Sequence, residues 1–68
     1  MIGKVIRYNH QRGFGFIETP NHHSVFVHYT AIEDPDRRSL TAGQSVKFAV
    51  AMGLRGWQAV KVSKLPQS

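Results

Sequence analysis

Flat aromatic side chains recur at alternate positions in two short segments of the chain. The first segment carries Phe14 and Phe16, and the second carries Phe26 and His28. Residues two apart on an extended strand share a face, so each pair would project from one side of its strand. Rings exposed in a row form a surface that stacks on flat partners. A nucleobase is the partner that fits best, since every base has a π face.

The residues between the rings are those that suit a hydrophobic core. Ile17 alternates with the rings of the first segment, and Val25 and Val27 alternate with those of the second. If the sheet packed the opposite way, these three aliphatic side chains would be exposed to water. We therefore predict that the aliphatic residues face the core and that the rings lie on the outer surface.

The charge of the chain indicates the kind of partner. Its formal net charge is +5, which favours a polyanion. Together with exposed rings, this charge favours a nucleic acid. There is no cysteine for a disulfide or a cysteine-based metal site. His10, His22 and His23 lie in two turns without a ligand spacing, so we expect no metal site. No apolar run approaches a membrane span, and the expected location is the cytoplasm.

A strand-rich fold must position these side chains. Alternation and turn residues predict five strands, at residues 2–8, 14–18, 24–28, 46–52 and 57–63. Residues 29–32 are too few for an α-helix and predict one 3₁₀ turn. The pattern predicts an all-β fold, a five-stranded antiparallel barrel in which residues 1–68 form one domain. The OB-fold is such a barrel, and it presents its second and third strands to oligonucleotides.

Finer expectations concern the packing of this barrel. Gly3 is expected to allow a bend or bulge in the first strand, because barrel closure needs one. Leu40 is expected to return to the core after a charged loop. The fifth strand is expected to direct Val60 and Val62 inward. The fourth strand alternates most regularly, with apolar residues at Val46, Phe48, Val50 and Met52.

Both aromatic segments also resemble known motifs. Residues 12–17, RGFGFI, are similar to the first ribonucleoprotein motif of the cold-shock domain family, and residues 25–32, VFVHYTAI, are similar to the second. Further matches extend over nearly the whole chain. The resemblance implies an OB-fold barrel whose rings stack on successive bases of a single strand.

The resemblance also implies which residues bind. The predicted nucleic-acid-binding set is Arg7, Tyr8, Asn9, Arg12, Phe14, Phe16, Phe26, His28, Tyr29, Arg37, Arg55, Trp57 and Gln58. Within it, Arg12 and Arg55 match basic positions that line the family's binding groove. Three positions depart from the family pattern. Arg7 replaces a usual Trp, Arg37 replaces a usual Phe, and Trp57 replaces a common Pro.

The predicted function is binding of single-stranded RNA or DNA with low sequence specificity. Similarity to bacterial cold-shock proteins further implies an RNA chaperone that keeps transcripts unpaired and acts on transcription antitermination or translation. The expected partner is single-stranded RNA or DNA. We expect no cofactor, no small-molecule substrate and no membrane, and a monomeric protein.

Three other classes of function compete with this prediction. A protein-interaction module on a small barrel would use exposed rings, but it does not explain the basic residues beside them. An enzyme needs a catalytic constellation. Ser24, His28 and Asp34 contain the groups of a triad, but their spacing does not support one. A reader of duplex DNA needs a recognition helix, and none is predicted. The choice between RNA and DNA stays open.

Overall fold

The structure, a computed structural model, describes residues 1–33, 40–54 and 56–65. In chain order its elements are β1 (Ile2–Asn9), β2 (Phe14–Glu18), β3 (Ser24–His28), a 3₁₀ turn (Tyr29–Ala31), β4 (Ser45–Gly53) and β5 (Gly56–Lys64). β2 and β3 have the predicted bounds, and the other strands are slightly longer than predicted. No helix within the described ranges has the length and apolar character needed to cross a lipid bilayer.

The strands close into a barrel in the order β1-β2-β3-β5-β4. β2 pairs antiparallel with β1 and β3, and β4 pairs antiparallel with β1 and β5. The closing pair, β3 and β5, runs parallel and pairs at Phe26 and Gln58. The predicted five-stranded barrel is confirmed, and its closing contact is parallel, as is the isolated bridge between Ile32 and Val62. Closure removes the unpaired strand edges that a small open sheet would expose.

One hydrophobic core fills the barrel. Ile17, Val25 and Val27 are at most 5% exposed, which confirms the predicted inner face of β2 and β3. Leu40 is fully buried, so the chain returns to the core as predicted. The core consists of Val5, Ile17, Val25, Val27, Ile32, Leu40, Val46, Phe48, Ala59 and Val62. Each large side chain buried in this way stabilises the fold by about 1.5–3 kcal/mol, which fixes the direction of both central strands.

An extra residue in β1 reverses the direction of the side chains that follow it. Val5 pairs with Ile17 and Arg7 pairs with Phe16, so Ile6 has no partner in β2. Ile6 is 47% exposed. In a regular strand Arg7 would share the inward face of Val5. The bulge at Ile6 turns Arg7 to the outer face instead.

This irregularity lies at Ile6 and not at Gly3, where the sequence predicted it. A side chain at Gly3 would collide with the carbonyl oxygen of Glu18 and would approach the Phe48 ring to 3.0 Å. Glycine at this position therefore permits β1 and β2 to approach each other closely, and it does not form the bulge.

A second irregularity lies in β5. Between the pairs Ala49–Val60 and Lys47–Ser63, β5 has two residues where β4 has one. Lys61 in this stretch has a φ of 52°, a left-handed conformation that side chains rarely adopt. As a result Ala59 and Val62 are buried although they are three residues apart, and Val60 is only half-buried. This corrects the prediction that Val60 and Val62 share the inward face.

The inward face of β4 ends before the strand does. Val46 and Phe48 are buried and Val50 is half-buried, whereas Met52 is 63% exposed. Met52 pairs with Trp57 next to the hairpin turn. The alternation predicted for this strand therefore continues beyond the part of β4 that packs against the core.

Candidate nucleic-acid interface

Four rings lie together on the outer face of β2 and β3, and we call them the ring platform: Phe14, Phe16, Phe26 and His28. Phe14 pairs with His28 and Phe16 pairs with Phe26 in antiparallel register. All four side chains are half-buried, whereas the alternate positions between them are buried. Directly opposite residues of paired strands lie on the same side of a sheet. The two predicted rows of rings therefore meet as one surface.

Three of the four rings are nearly parallel. The Phe26 ring centroid lies 5.6 Å from that of Phe14 with 25° between the planes, and 6.5 Å from that of His28 with 22°. The Phe16 ring is almost perpendicular to Phe26, at 6.1 Å and 79°. Offset and edge-to-face pairs are favourable arrangements of aromatic rings. Phe26 contacts each other ring of the platform and is its centre.

His28 is held by a residue that the sequence prediction did not select. His28 Nδ1 lies 2.9 Å from Thr30 Oγ1, and the Thr30 backbone N–H donates to the same nitrogen across 3.4 Å. The backbone and the hydroxyl of Thr30 therefore both lie at the same ring nitrogen and fix the orientation of the imidazole. A threonine two residues after the last residue of a strand is the sequence signal that points to this contact.

Tyr29 extends the ring platform at the end of β3. Its ring centroid lies 4.6 Å from that of His28, and its side chain is 39% exposed. The ring lies against Gly13, where a Cβ atom would come within 2.6 Å of Tyr29 Cδ1 and where φ is +75°. A side chain at position 13 would be strained and would displace Tyr29. This explains why a glycine precedes the first ring.

Arg7 lies at the β1 side of the ring platform. Its Cζ atom is 5.3 Å from the centroid of the Phe16 ring, within the range of a cation–π interaction. Arg7 is exposed and is the β1 partner of Phe16. A planar cation therefore covers one ring of the platform, at the position where the family resemblance implies a tryptophan.

Tyr8 and Asn9 take supporting positions beside the ring platform. Tyr8 pairs with Gly15 and packs against the core. Asn9 Oδ1 accepts hydrogen bonds from the backbone N–H groups of Gln11 and Arg12, both at 3.0 Å. Tyr8 thus packs beside Gly15, which has no side chain. Asn9 stabilises the turn that carries Arg12.

A groove of about 700 Å³, which we call the central groove, lies beside the ring platform. It brings together five members of the predicted set: Arg12, Phe14, Phe26, His28 and Gln58. It is also lined by three residues that were not predicted: Thr30, Gly53 and Leu54. Leu54 is fully exposed. The sequence does contain a signal for Leu54, which is a leucine in a hairpin loop bounded by glycines. An exposed apolar side chain at the tip of a loop indicates contact with a partner.

Trp57 lies on a different part of the surface. Its side chain is 57% exposed and lines a separate pocket of about 500 Å³. The residues around this pocket include Met1, Pro20, Val25 and Val50. The next residue of β5, Gln58, lines the central groove, and adjacent residues of a strand point to opposite faces. The structure therefore does not bring Trp57 to the ring platform.

Three residues considered in the sequence lie outside the described residues: Arg37 and Arg55 of the predicted binding set, and Asp34 of the triad-like set. Ser24 and His28 lie at opposite ends of β3, about 13 Å apart at roughly 3.3 Å per residue. His28 Nδ1 also accepts from Thr30. Ser24 and His28 are therefore not a nucleophile and its base.

Three comparisons relate the chain to known proteins. The model of the "'Cold-shock' DNA-binding domain" family matches residues 1–65. The major cold shock protein CspA of Bacillus cereus is 49% identical over 65 residues, which cover 96% of this chain and 97% of the relative. The cold shock protein CspD of Bacillus subtilis is 51% identical over 63 residues, which cover 93% and 96%. The solved structure of drosophila Unr CSD456 matches 97% of this chain with a TM-score of 0.69 and 26% identity, and the match spans 27% of that longer chain.

Proposed function

The chain belongs to the cold-shock DNA-binding domain family, and from this membership we propose that it binds single strands of RNA or DNA with low sequence specificity. It is a nucleic-acid-binding, non-enzymatic protein of the cold-shock type. One observation carries the proposal. Four rings lie on the outer face of β2 and β3, while aliphatic side chains of the same strands fill the core.

Two forces would hold a strand on this surface. The net charge of +5 attracts the phosphate backbone. Unpaired bases stack on the nearly parallel rings of Phe14, Phe26 and His28. A base inside a duplex is covered on both faces by its neighbours and cannot stack on the ring platform. Preference for unpaired strands follows, and low sequence specificity follows because all bases have a π face.

Binding of unpaired strands gives the protein a role in RNA folding. A protein that binds only the open form of a hairpin shifts the equilibrium toward that form by mass action, without an energy source. We therefore propose an RNA chaperone that keeps transcripts unpaired, with effects on transcription antitermination or translation. In this proposal residues 1–68 act as a single, monomeric domain in the cytoplasm.

The proposed contacts follow the geometry of the platform and the central groove. Direct contacts are assigned to Arg7, Arg12, Phe14, Phe16, Phe26, His28, Tyr29 and Gln58. Tyr8 and Asn9 support this surface from the core and from the first turn. Arg37 and Arg55 stay predictions from the sequence. Trp57 is proposed to be a peripheral contact, since its pocket is separate from the central groove.

A single strand is expected to bind at least about tenfold more tightly than a duplex of the same sequence, because each base stack contributes about 1–3 kcal/mol. The measurement is a titration of labelled single-stranded, hairpin and duplex oligonucleotides, followed by fluorescence anisotropy at two salt concentrations. Equal or tighter binding of the duplex would contradict the platform as the binding surface. An affinity that does not change with salt would contradict the electrostatic part of the proposal and favour a protein-interaction module.

Replacing Arg12 with alanine is expected to weaken binding and to reduce its dependence on salt. Arg12 is exposed and lines the central groove, where its charge can contact a phosphate. The slope of log affinity against log salt should decrease by up to about 0.7, the value for one neutralised phosphate of a single strand. Lys47→Ala is the matched control, since Lys47 is an exposed cation on β4, which pairs with neither β2 nor β3. If both variants had the same slope, Arg12 would not be a phosphate contact.

A further inference from the structure

We infer that Arg7 forms a guanine-preferring subsite at the β1 side of the ring platform. This inference rests on the proposed function and deepens it, because it names the base that one position of the bound strand prefers. Elsewhere on the platform stacking is tolerant of base identity. The subsite would therefore add a preference at a single position of an otherwise unselective strand.

The bulge of β1 places Arg7 in line with the rings. Arg7 pairs with Phe16, Phe16 pairs with Phe26, and Phe26 pairs with Gln58. These four residues form one row across β1, β2, β3 and β5. Paired residues project from the same side of a sheet. The guanidinium thus lies at one end of a row of rings, at the level where stacked bases would lie.

The Phe16 ring holds the guanidinium in place. Arg7 Cζ lies 5.3 Å from the centre of that ring. The carboxylates within the described ranges are those of Glu18 and Glu33; Glu18 pairs with His22, and neither forms a salt bridge with Arg7. The N–H groups of Arg7 are therefore not used by an acidic side chain of this part of the protein. A cation that is positioned by a ring and keeps its donors can bind a ligand without losing much side-chain freedom.

The groove beside Arg7 suits a base better than a phosphate. It has a volume of about 530 Å³, and its walls include Asn9, His10, Phe14 and Phe16. Rings and neutral polar groups make up most of this lining, with a single arginine. Arg7 differs from Arg12 of the central groove because its Cζ atom lies over a ring of the platform. A flat base stacked beside that ring gains from the ring faces and brings its edge to one planar donor.

Guanine is the base whose edge matches a guanidinium. It presents two neighbouring acceptors, O6 and N7, to which arginine donates two hydrogen bonds. Adenine presents N7 beside an amino donor, cytosine presents an amino donor, and thymine presents one acceptor and a methyl group. Adenine and thymine therefore cannot accept two parallel bonds from Arg7 on this edge. An unpaired cytosine can accept two only through N3 and O2 of its Watson–Crick edge, so cytosine is the comparison base for guanine in the test.

The test uses oligothymidylates of about eight nucleotides, within the site size of one OB-fold, in which a single guanine occupies each position in turn. We expect guanine at one position to tighten binding by about tenfold over thymine and adenine there to give no gain, and an equal gain with cytosine would overturn the preference for guanine. A strand with 7-deazaguanine at that position lacks the N7 acceptor and should lose most of the gain. This comparison uses the unaltered protein and so does not depend on the folding of a variant.

The matched variants are Arg7→Lys and Lys47→Gln. Lysine keeps the charge but cannot donate in the two-bond geometry, so the guanine-to-thymine affinity ratio should fall to about one to two in Arg7→Lys. The ratio should stay near tenfold in Lys47→Gln, which removes a charge from β4. An unchanged ratio in Arg7→Lys, or no preferred position in the unaltered protein, would overturn the inference. If Arg7→Lys weakened all sequences equally, Arg7 would be a phosphate contact.

The same titration separates this inference from the proposed function. Tight binding of oligothymidylate without any preference for guanine overturns the subsite and leaves the proposed function intact. Failure of all single strands to bind overturns both. A guanine preference that Arg7→Lys removes supports both.

Discussion

Phe26→Ala is expected to weaken binding of a single-stranded oligonucleotide by roughly 5- to 150-fold, which corresponds to the loss of about 1–3 kcal/mol for one base stack. Phe26 is the residue of choice because its ring contacts those of Phe14, Phe16 and His28. Its removal opens a gap in the middle of the platform, so a stack is lost and the neighbouring rings lose their support. The slope of log affinity against log salt should barely change, since no charge is removed.

Trp57→Ala is the matched control for this variant. Like Phe26→Ala it removes a large ring, but an exposed one that lies in the pocket separate from the central groove. Its effect on affinity should be clearly smaller than that of Phe26→Ala. Both variants need a check of the folded state by circular dichroism, because domains of this size are marginally stable. If folded Phe26→Ala bound as tightly as the unaltered protein, the ring platform would not be the binding surface.

Gly15→Ala is expected to destabilise the barrel by about 3 kcal/mol or more, at the upper end of the usual range for one substitution. Gly15 is buried between the two rings of β2, and its missing side chain faces Tyr8. A Cβ atom there would collide with the Arg7 carbonyl oxygen and come within 2.8 Å of Tyr8 Cα. Both contacts are with backbone that is held by strand pairing, so β1 and β2 would have to move apart.

Thermal unfolding followed by circular dichroism measures this effect. For a domain of this size, about 3 kcal/mol corresponds to a decrease in Tm of roughly 12 °C or more. Gly53→Ala is the control, because a Cβ atom there would meet the end of the flexible Gln58 side chain, at 2.7 Å from Cδ. That side chain can move aside, and the expected cost is about 1 kcal/mol or less. Equal stability of Gly15→Ala and the unaltered protein would show that β1 and β2 can adjust without loss.

Much of the fold can be read from the chain because the signals are local. Alternation of aliphatic and aromatic residues gave the bounds of β2 and β3 and the direction of their side chains. The requirement to bury Ile17, Val25 and Val27 leaves only one orientation for the rings. The five-stranded barrel followed from strand number and spacing, and the resemblance to the cold-shock domain family agreed with it.

The candidate site was predictable to the same extent. Its central rings were identified from alternation, since residue type and spacing decide which groups share a face. Thr30 and Leu54 were not predicted, because the sequence alone does not show that this hydroxyl contacts His28 or that this leucine lines the central groove. Trp57 was included in the predicted binding set on the basis of the family resemblance. The side of β5 on which its ring lies depends on the pairing of β5 with β3, which the resemblance does not describe.

The amino-acid pattern alone was sufficient to indicate five strands, an aliphatic core, an outer row of rings and a basic protein. The tertiary structure decided where the alternation is interrupted. The bulge at Ile6 moves Arg7 from the inward face to the ring platform, and the left-handed Lys61 makes Ala59, instead of Val60, the inward partner of Val62. A bulge is a property of two paired strands in a closed barrel, because its position depends on how the partner strand must curve. One strand read on its own carries no such information. For this reason the alternation of β1 did not place Arg7 on the face of the rings, and only the family resemblance included it in the predicted binding set.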